Sequence, residues 1–156
     1  MPQQIQLKYF LDSLFALLDE TFENHHGIYL DEDTSLFQTL GTVSAEEASI
    51  PVGSKCASLA AQVAHVTFYL TVLERYIFQK DTSRVDWGEI WRTVGKVSPE
   101  EWQASKSELE ATYRRLDKAL RACSSWDEHV IGGAMGIMVH TAYHLGEIRQ
   151  ALCVLK

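Results

Sequence analysis

Two histidines four positions apart are the residues of this chain with the clearest chemical potential. His140 and His144 stand in the run Val-His-Thr-Ala-Tyr-His-Leu-Gly, within a long helix-forming stretch. Residues at this spacing project from one face of an α-helix about one turn apart, so both imidazoles can bind a single metal ion. A third histidine, His65, interrupts an apolar helical pattern earlier in the chain. If the three rings meet, they hold a metal with open coordination positions, as catalytic metal sites do.

Each of these histidines also has a simpler interpretation. His65 taken alone is more often a core histidine that is hydrogen-bonded to a carbonyl or hydroxyl group, because a buried imidazole needs a partner. His140 and His144 can equally be two half-buried histidines between packed helices. As a ligand set, three neutral imidazoles suit divalent zinc or nickel, and also iron or copper, better than magnesium or calcium.

Three further side chains are expected near this site. Glu147 follows His144 by three residues and lies on the same side of the helix. It is predicted to accept a hydrogen bond from a ligating imidazole, with a fourth metal ligand or a solvated charge as alternatives. Tyr69 and Tyr143 are candidate proton donors or substrate contacts. Packing between helices is the alternative for both tyrosines, and it is favoured for Tyr143.

The elements that must position these side chains are predicted to be helices. Apolar residues recur at helical spacing in four long stretches, at about residues 4–24, 54–80, 98–120 and 125–155. Shorter helical turns are expected at 44–48 and 87–94, and nothing indicates a sheet. This pattern predicts an all-α fold with one domain over residues 1–156, a four-helix bundle with long crossover connections.

Two of the long helices carry N-terminal capping signals. Ser98 is the predicted N-cap of the third, with Pro99 at the first helical position and Glu101 completing a capping box. A second capping box is predicted from Ser125 to Glu128 at the start of the fourth helix.

The composition excludes several classes of partner. The chain has 156 residues, of which 46% are hydrophobic, and its formal net charge is −7. No basic face is present, so we expect no nucleic-acid partner, and no apolar run of spanning length or signal peptide predicts a membrane association. The cysteines show no ligand spacing, so they are interpreted as packing residues of a reduced, cytoplasmic protein: Cys56, Cys123 and Cys153.

Two separated motifs resemble the DinB/YfiT-like metalloenzyme family. The run from His140 to Ile148 is similar to the family's last-helix pattern His-x-x-x-His-x-Gly-Gln-Ile. The run from Ser58 to Leu70 is similar to its Ser-Ile…His…Tyr-Leu pattern, and the likeness extends from about Val43 to the C-terminus. The motifs occur in the family's order along the chain.

The resemblance implies a four-helix bundle that often dimerises and holds an open histidine triad, which corresponds here to His65, His140 and His144. Characterised relatives include transferases that use low-molecular-weight thiols and a maleylpyruvate isomerase. The chain departs from the pattern at two positions. Ala57 replaces a common aromatic residue near the pocket entrance, and Glu147 replaces the usual Gln and adds a negative charge near the metal.

Together these patterns lead to one main hypothesis and two alternatives. The chain is predicted to be a metal-dependent enzyme that acts on a small electrophile, as a thiol-dependent S-transferase or a hydrolase, with Tyr69 and Glu147 as catalytic residues. A low-molecular-weight thiol is the expected co-substrate, and a homodimer is the expected assembly. The first alternative is a non-catalytic dimeric stress-response module that binds a metal or another ligand. The second is a helical interaction protein with unrelated histidines.

Overall fold

The computed structural model describes residues 5–53 and 56–155. Seven helices and no strand occur in this part of the chain. The helices are α1 (Leu7–Phe22), α2 (Leu36–Gly41), α3 (Ala45–Ser49), α4 (Leu59–Gln79), α5 (Glu89–Thr93), α6 (Pro99–Arg121) and α7 (Glu128–Leu155). The all-α prediction is therefore confirmed for the residues described.

Most of the predicted helices are present, with differences at their ends. The four long helices correspond to α1, α4, α6 and α7, and the two short ones to α3 and α5, whereas α2 was not predicted. The predicted starts at Gln4 and Ser54 lie outside the described residues. Helix α4 begins at Leu59 because the Ser58 side chain accepts a hydrogen bond from the Ala61 N–H and so caps the helix there.

The capping box at Ser98 is confirmed, but the one at Ser125 is wrong. The Ser98 side chain accepts from the Glu101 N–H, and the Glu101 side chain accepts from the Ser98 N–H. At α7, Asp127 takes the capping role instead, because its Oδ1 accepts from the N–H groups of residues 129 and 130, each at 3.0 Å. A carboxylate at this position also interacts favourably with the positive end of the helix dipole.

The chain divides into two compact units, residues 1–41 and residues 42–156. The first unit contains α1 and α2, and it is organised around the buried carboxylate of Glu20. This carboxylate accepts backbone N–H groups from His26 at 3.0 Å and from Ile28 and Tyr29, each at 2.9 Å. The loop after α1 is thereby tied back onto the helix.

The second unit is built around α4. This helix packs against α6 and α7, and the short helices α3 and α5 also contact it. Its fully buried side chains repeat at helical spacing and form the core of this unit: Leu59, Val63, Val66 and Leu70. Trp102 of α6 is also buried, and its indole N–H donates to the Val43 carbonyl at 2.8 Å. The four-helix bundle and the single domain stay predictions.

Within the described residues, no helix is both long and apolar enough to cross a membrane.

Candidate metal centre

Two glycines of α7 let this helix approach α4 closely. A Cβ atom at Gly133 would lie 2.4 Å from Cγ1 of Ile77, which no real contact allows. A Cβ atom at Gly136 would lie 3.1 Å from the Tyr69 hydroxyl. The absence of side chains at these positions therefore sets the close approach of the two helices, and it brings His65 of α4 within reach of the histidines of α7.

The three predicted histidines meet between α4 and α7. Nε2 of His140 lies 3.1 Å from Nε2 of His65 and 3.2 Å from Nε2 of His144. His65 and His144 are buried, and His140 is partly buried. We call these three side chains the histidine cluster.

Two of the three nitrogen–nitrogen distances are close to those around a transition metal, and all three nitrogens lie within 4.8 Å of one another. Two nitrogen ligands at 2.0–2.1 Å from a tetrahedral zinc ion lie roughly 3.3–3.4 Å from one another. The contacts in the cluster differ from this by only a few tenths of an ångström. Nε2 of His140 carries either one hydrogen or one lone pair, which both contacts must share, whereas a cation can accept the lone pairs of all three rings. The histidine cluster could therefore hold a metal ion.

The three rings are held in place in two different ways. Nδ1 of His144 lies 2.6 Å from Oε1 of Gln62 and 2.9 Å from Oε2 of Glu147. The other two rings contact aromatic faces. His140 is stacked on Tyr69, with centroids 3.6 Å apart and an interplanar angle of 6°, and His65 lies 4.3 Å from the Trp91 ring at 30°.

The remaining ring nitrogens of the cluster are unusual for buried polar atoms. Nδ1 of His65 and Nδ1 of His140 have no hydrogen-bond partner among the described residues. Buried polar atoms are nearly always paired, and leaving one unpaired costs free energy. Hydrogen bonds at Nδ1 therefore do not orient these two rings within the described residues, and their aromatic contacts do so instead.

The electrostatic surroundings keep the rings neutral. Burial, together with neighbouring His144, lowers the pKa of His65 to about 4. Burial, with His144 and His65 beside it, lowers the pKa of His140 to about 3. Burial also lowers the pKa of His144, although the carboxylate of Glu147 opposes this shift. At neutral pH all three rings carry free lone pairs, the form that binds metal.

The two predicted catalytic side chains, Glu147 and Tyr69, contact the histidine cluster in different ways. Glu147 contacts His144 at Nδ1, the nitrogen that points away from His140, so the structure places it as a hydrogen-bond acceptor. Tyr69 presents its ring face to His140, and its hydroxyl lies beside Gly136. Burial raises the pKa of Tyr69, so the hydroxyl stays protonated at neutral pH.

A cavity of about 450 Å³ adjoins the cluster at His144. Its wall combines two aromatic rings, a carboxylate, an amide and a thiol, from Trp91, Tyr143, Glu147, Gln62 and Cys56, with Ala57 beside them. The volume is in the range of small-molecule sites. A ligand in this cavity would contact the edge of the histidine cluster.

The predictions for Tyr143 and for two of the cysteines are wrong. Tyr143 is not packed between helices: it is 62% exposed, it lines the cavity, and its hydrogen bond with Glu147 raises its pKa. Cys56 and Cys153 are exposed and therefore are not packing residues. The periodicity correctly placed Tyr143 away from the core face, and only the packing role was wrong, because a residue on that side can border a cavity on the surface.

The sequence interpretation also missed two residues that support the rings. Gln62 precedes His65 by three positions, so helical spacing could have placed it on the same face. Trp91 lies on the short helix α5, and its signals were the helical turn predicted at 87–94 and its spacing of four residues from Trp87.

Comparison of the chain with family models, with curated proteins and with solved structures found no match, so the resemblance to the DinB/YfiT-like family stays a prediction.

Proposed function

We propose that this chain is a metal-dependent enzyme that holds a divalent transition metal on His65, His140 and His144. The observation that carries the proposal is the pair of Nε2 contacts at 3.1 and 3.2 Å, next to a cavity of about 450 Å³. Because His144 belongs both to the cluster and to the cavity wall, a small molecule in the cavity lies next to the candidate ligands.

Zinc and nickel are the proposed metals. When bound, such an ion supplies Lewis acidity and lowers the pKa of a water or thiol that reaches it. The chain's own residues supply the rest. His144 is oriented by Gln62 and Glu147, the rings of Trp91 and Tyr69 hold the other two imidazoles, and the cavity wall positions the substrate.

The proposed reaction class comes from the family resemblance of the sequence. The proposed substrate is a small electrophile, and the proposed reactions are thiol-dependent S-transfer, with a low-molecular-weight thiol as co-substrate, and hydrolysis. Glu147 and Tyr69 stay the proposed catalytic side chains. The proposal also includes membership of the DinB/YfiT-like family, its four-helix bundle, a homodimer and a cytoplasmic location.

The test is metal analysis of protein that is purified without a metal-affinity tag. We expect close to one equivalent of zinc or nickel, or its uptake on addition, and loss of this uptake in His140→Ala. The matched control is His129→Ala, which removes a histidine of α7 that does not belong to the cluster. Less than about a tenth of an equivalent, with no uptake of either ion, would contradict the proposal.

A non-catalytic metal-binding module is the second candidate, because a metal bound between α4 and α7 would also stabilise the fold. Activity separates the two candidates. An enzyme turns over at least one substrate in a panel of thiols, electrophiles and hydrolysable esters, and His144→Ala abolishes this turnover while the protein stays folded. For a non-catalytic module we expect zinc to raise the melting temperature, and we expect no turnover of any compound in the same panel.

A further inference from the structure

Gln62 contacts a candidate metal ligand from the opposite helix. Its Oε1 atom lies 2.6 Å from Nδ1 of His144, the shorter of the two contacts at this nitrogen. Glu147 makes the other contact, but it lies on α7 one turn beyond His144. Gln62 lies on α4, the helix that carries His65. It is therefore the side chain that ties the His144 ring to the other half of the cluster.

The two contacts decide which nitrogen of His144 carries the hydrogen. A neutral imidazole has one N–H group and one lone pair. Two oxygen atoms that both approach Nδ1 are favourable only if the hydrogen is on Nδ1, since oxygen lone pairs repel a nitrogen lone pair. The ionised Glu147 carboxylate can only accept, so the hydrogen lies on Nδ1, and the Gln62 amide then presents its oxygen, since its NH₂ group would repel this N–H. Nε2 of His144 is then left as the lone pair that faces His140.

The other two rings have no such restraint. Nδ1 of His65 and Nδ1 of His140 lack hydrogen-bond partners among the residues described, and aromatic faces hold these rings instead. A stacked face restricts the tilt of a ring but does not select its tautomer. His144 is therefore the ring of the cluster whose tautomer and rotation are both set by hydrogen bonds.

From these contacts we propose that Gln62 is a positioning residue for metal binding, which fixes the tautomer and the rotation of His144 from across the α4–α7 interface. The inference rests on the proposed metal site. Glu147 is the second acceptor, and it follows His144 when α7 moves, whereas Gln62 keeps the His144 ring in register with His65. Partners of this kind commonly contribute about 10- to 100-fold to metal affinity.

Three variants test the inference. Gln62→Met keeps the length of the side chain and removes the acceptor, and Glu147→Gln keeps an oxygen acceptor without the charge. The double variant Gln62→Glu/Glu147→Gln exchanges the amide and the carboxylate, so the net charge and both acceptors are preserved. The measurements are Zn²⁺ affinity by competition with a chelator, the visible absorption spectrum of the Co²⁺-loaded protein, and the melting temperature of the metal-free protein.

We expect Gln62→Met to bind Zn²⁺ about 10- to 100-fold more weakly and to show a shifted Co²⁺ spectrum. Its metal-free melting temperature should stay close to that of the wild type, because Gln62 lines the cavity rather than the core. The double variant Gln62→Glu/Glu147→Gln should bind Zn²⁺ nearly as tightly as the wild type, because it keeps both acceptors. Equal Zn²⁺ affinity and an identical Co²⁺ spectrum in Gln62→Met and wild type would overturn the inference while leaving the proposed function intact.

A measurement on the metal-free wild-type protein tests the inference without any variant, so it does not depend on whether a variant folds. Nitrogen-15 NMR of the histidine rings should find His144 in the form that carries its hydrogen on Nδ1. A majority of the Nε2–H form would overturn the inference. If the wild type takes up neither Zn²⁺ nor Co²⁺, both the proposed function and this inference fail.

Discussion

Glu20 and the histidine cluster are both buried polar groups, but they are satisfied in opposite ways. The Glu20 carboxylate receives three backbone N–H donors from the loop after α1. In the cluster, Nε2 atoms face one another at 3.1 and 3.2 Å, and two Nδ1 atoms lack partners among the described residues. The first group is completed by the chain's own backbone, and the second is completed by nothing that the described chain provides.

This difference separates a structural polar group from a candidate binding site. A buried carboxylate with complete hydrogen bonding stabilises a local conformation, and its removal leaves donors unpaired. Ring nitrogens from three side chains that converge on one point offer a binding site for a cation, and departures from complete internal pairing are expected mainly at functional sites. The predictions below test this contrast, from the largest expected effect to the smallest.

The largest effect is expected at Glu20. Replacing it by Ala leaves three partly buried N–H groups without an acceptor, and we expect a loss of about 3 kcal/mol in the free energy of unfolding. His140→Ala in the metal-free protein should cost less, because it leaves no backbone N–H without an acceptor and also removes the unpaired Nδ1 atom of this ring. Urea unfolding followed by circular dichroism measures both. Equal losses in Glu20→Ala and His140→Ala would contradict this contrast. Glu20→Gln is the control: it keeps an acceptor, so its free energy of unfolding should lie between those of the wild type and Glu20→Ala.

The second prediction concerns metal and melting temperature. A ligand that binds only the folded state at a hundred times its Kd stabilises it by about 2.7 kcal/mol. We expect zinc at that excess to raise the melting temperature of the wild type and of Glu20→Ala, but not that of His144→Ala. Scanning calorimetry with and without zinc is the measurement. A zinc-dependent rise in His144→Ala would show that zinc binds elsewhere.

The two groups should also differ in their response to pH. The lowered pKa values of His65 and His140, about 4 and about 3, mean that the unfolded chain takes up protons below pH 6.5 while the folded chain does not. Metal-free stability should therefore fall from pH 6.5 to about 3, and His140→Ala should flatten this fall. Urea unfolding over this pH range measures it, and an equally steep fall in His140→Ala would contradict the assignment.

Glu20 should lose its contribution at lower pH. Burial raises its pKa, but the backbone hydrogen bonds from Ile28, His26, Tyr29 and Gly27 together lower it below the ordinary value of 4.5. Its stabilisation is present above pH 4.5 and is lost as the pH falls through the lower folded pKa. Below pH 4.5, wild type should therefore lose stability faster than Glu20→Ala in the same unfolding series.

A smaller effect is expected at Trp91. Its ring lies against His65, and aromatic pairs contribute about 0.5–1.5 kcal/mol beyond burial, which corresponds to roughly a two- to tenfold change in affinity. Trp91→Ala should weaken zinc binding by this factor, and Trp91→Phe should retain most of it. Chelator competition gives both constants. If Trp91→Phe loses as much zinc affinity as Trp91→Ala, the contact of an aromatic ring with His65 does not explain the contribution of Trp91.

The smallest effect is expected at Gly136. An added methyl group would lie 3.1 Å from the Tyr69 hydroxyl, so the tyrosine must shift by a few tenths of an ångström against His140. We expect Gly136→Ala to reduce zinc affinity slightly. Gly132→Ala is the matched control, since nothing lies within 4 Å of its Cβ position, and it should gain about 1 kcal/mol in unfolding free energy. Zinc affinity that is unchanged in Gly136→Ala would indicate that the stacked tyrosine tolerates displacement.

Much of the secondary structure and part of the site could be predicted from local patterns. The long helices follow from apolar periodicity, and the Ser98 cap follows from the sequence Ser-Pro-Glu-Glu. The predicted cap of α7 was wrong because Asp127, which is two residues nearer the helix than Ser125, accepts the N–H groups at the start of the helix. Helical spacing could have placed Gln62 on the face of His65, but no local pattern shows that Gln62 and Trp91 contact the rings, because those contacts form between different helices.

The sequence by itself determined that His140 and His144 share one helical face, because an α-helix repeats every 3.6 residues and this spacing needs no tertiary information. It also indicated His65 as a polar residue within an apolar helix. Only the tertiary structure decided that the three rings meet, and which of their nitrogens face one another. The physical reason is that the meeting depends on how closely α4 and α7 pack. Gly133 and Gly136 set that distance by the side chains they lack, and no periodicity within either helix encodes it.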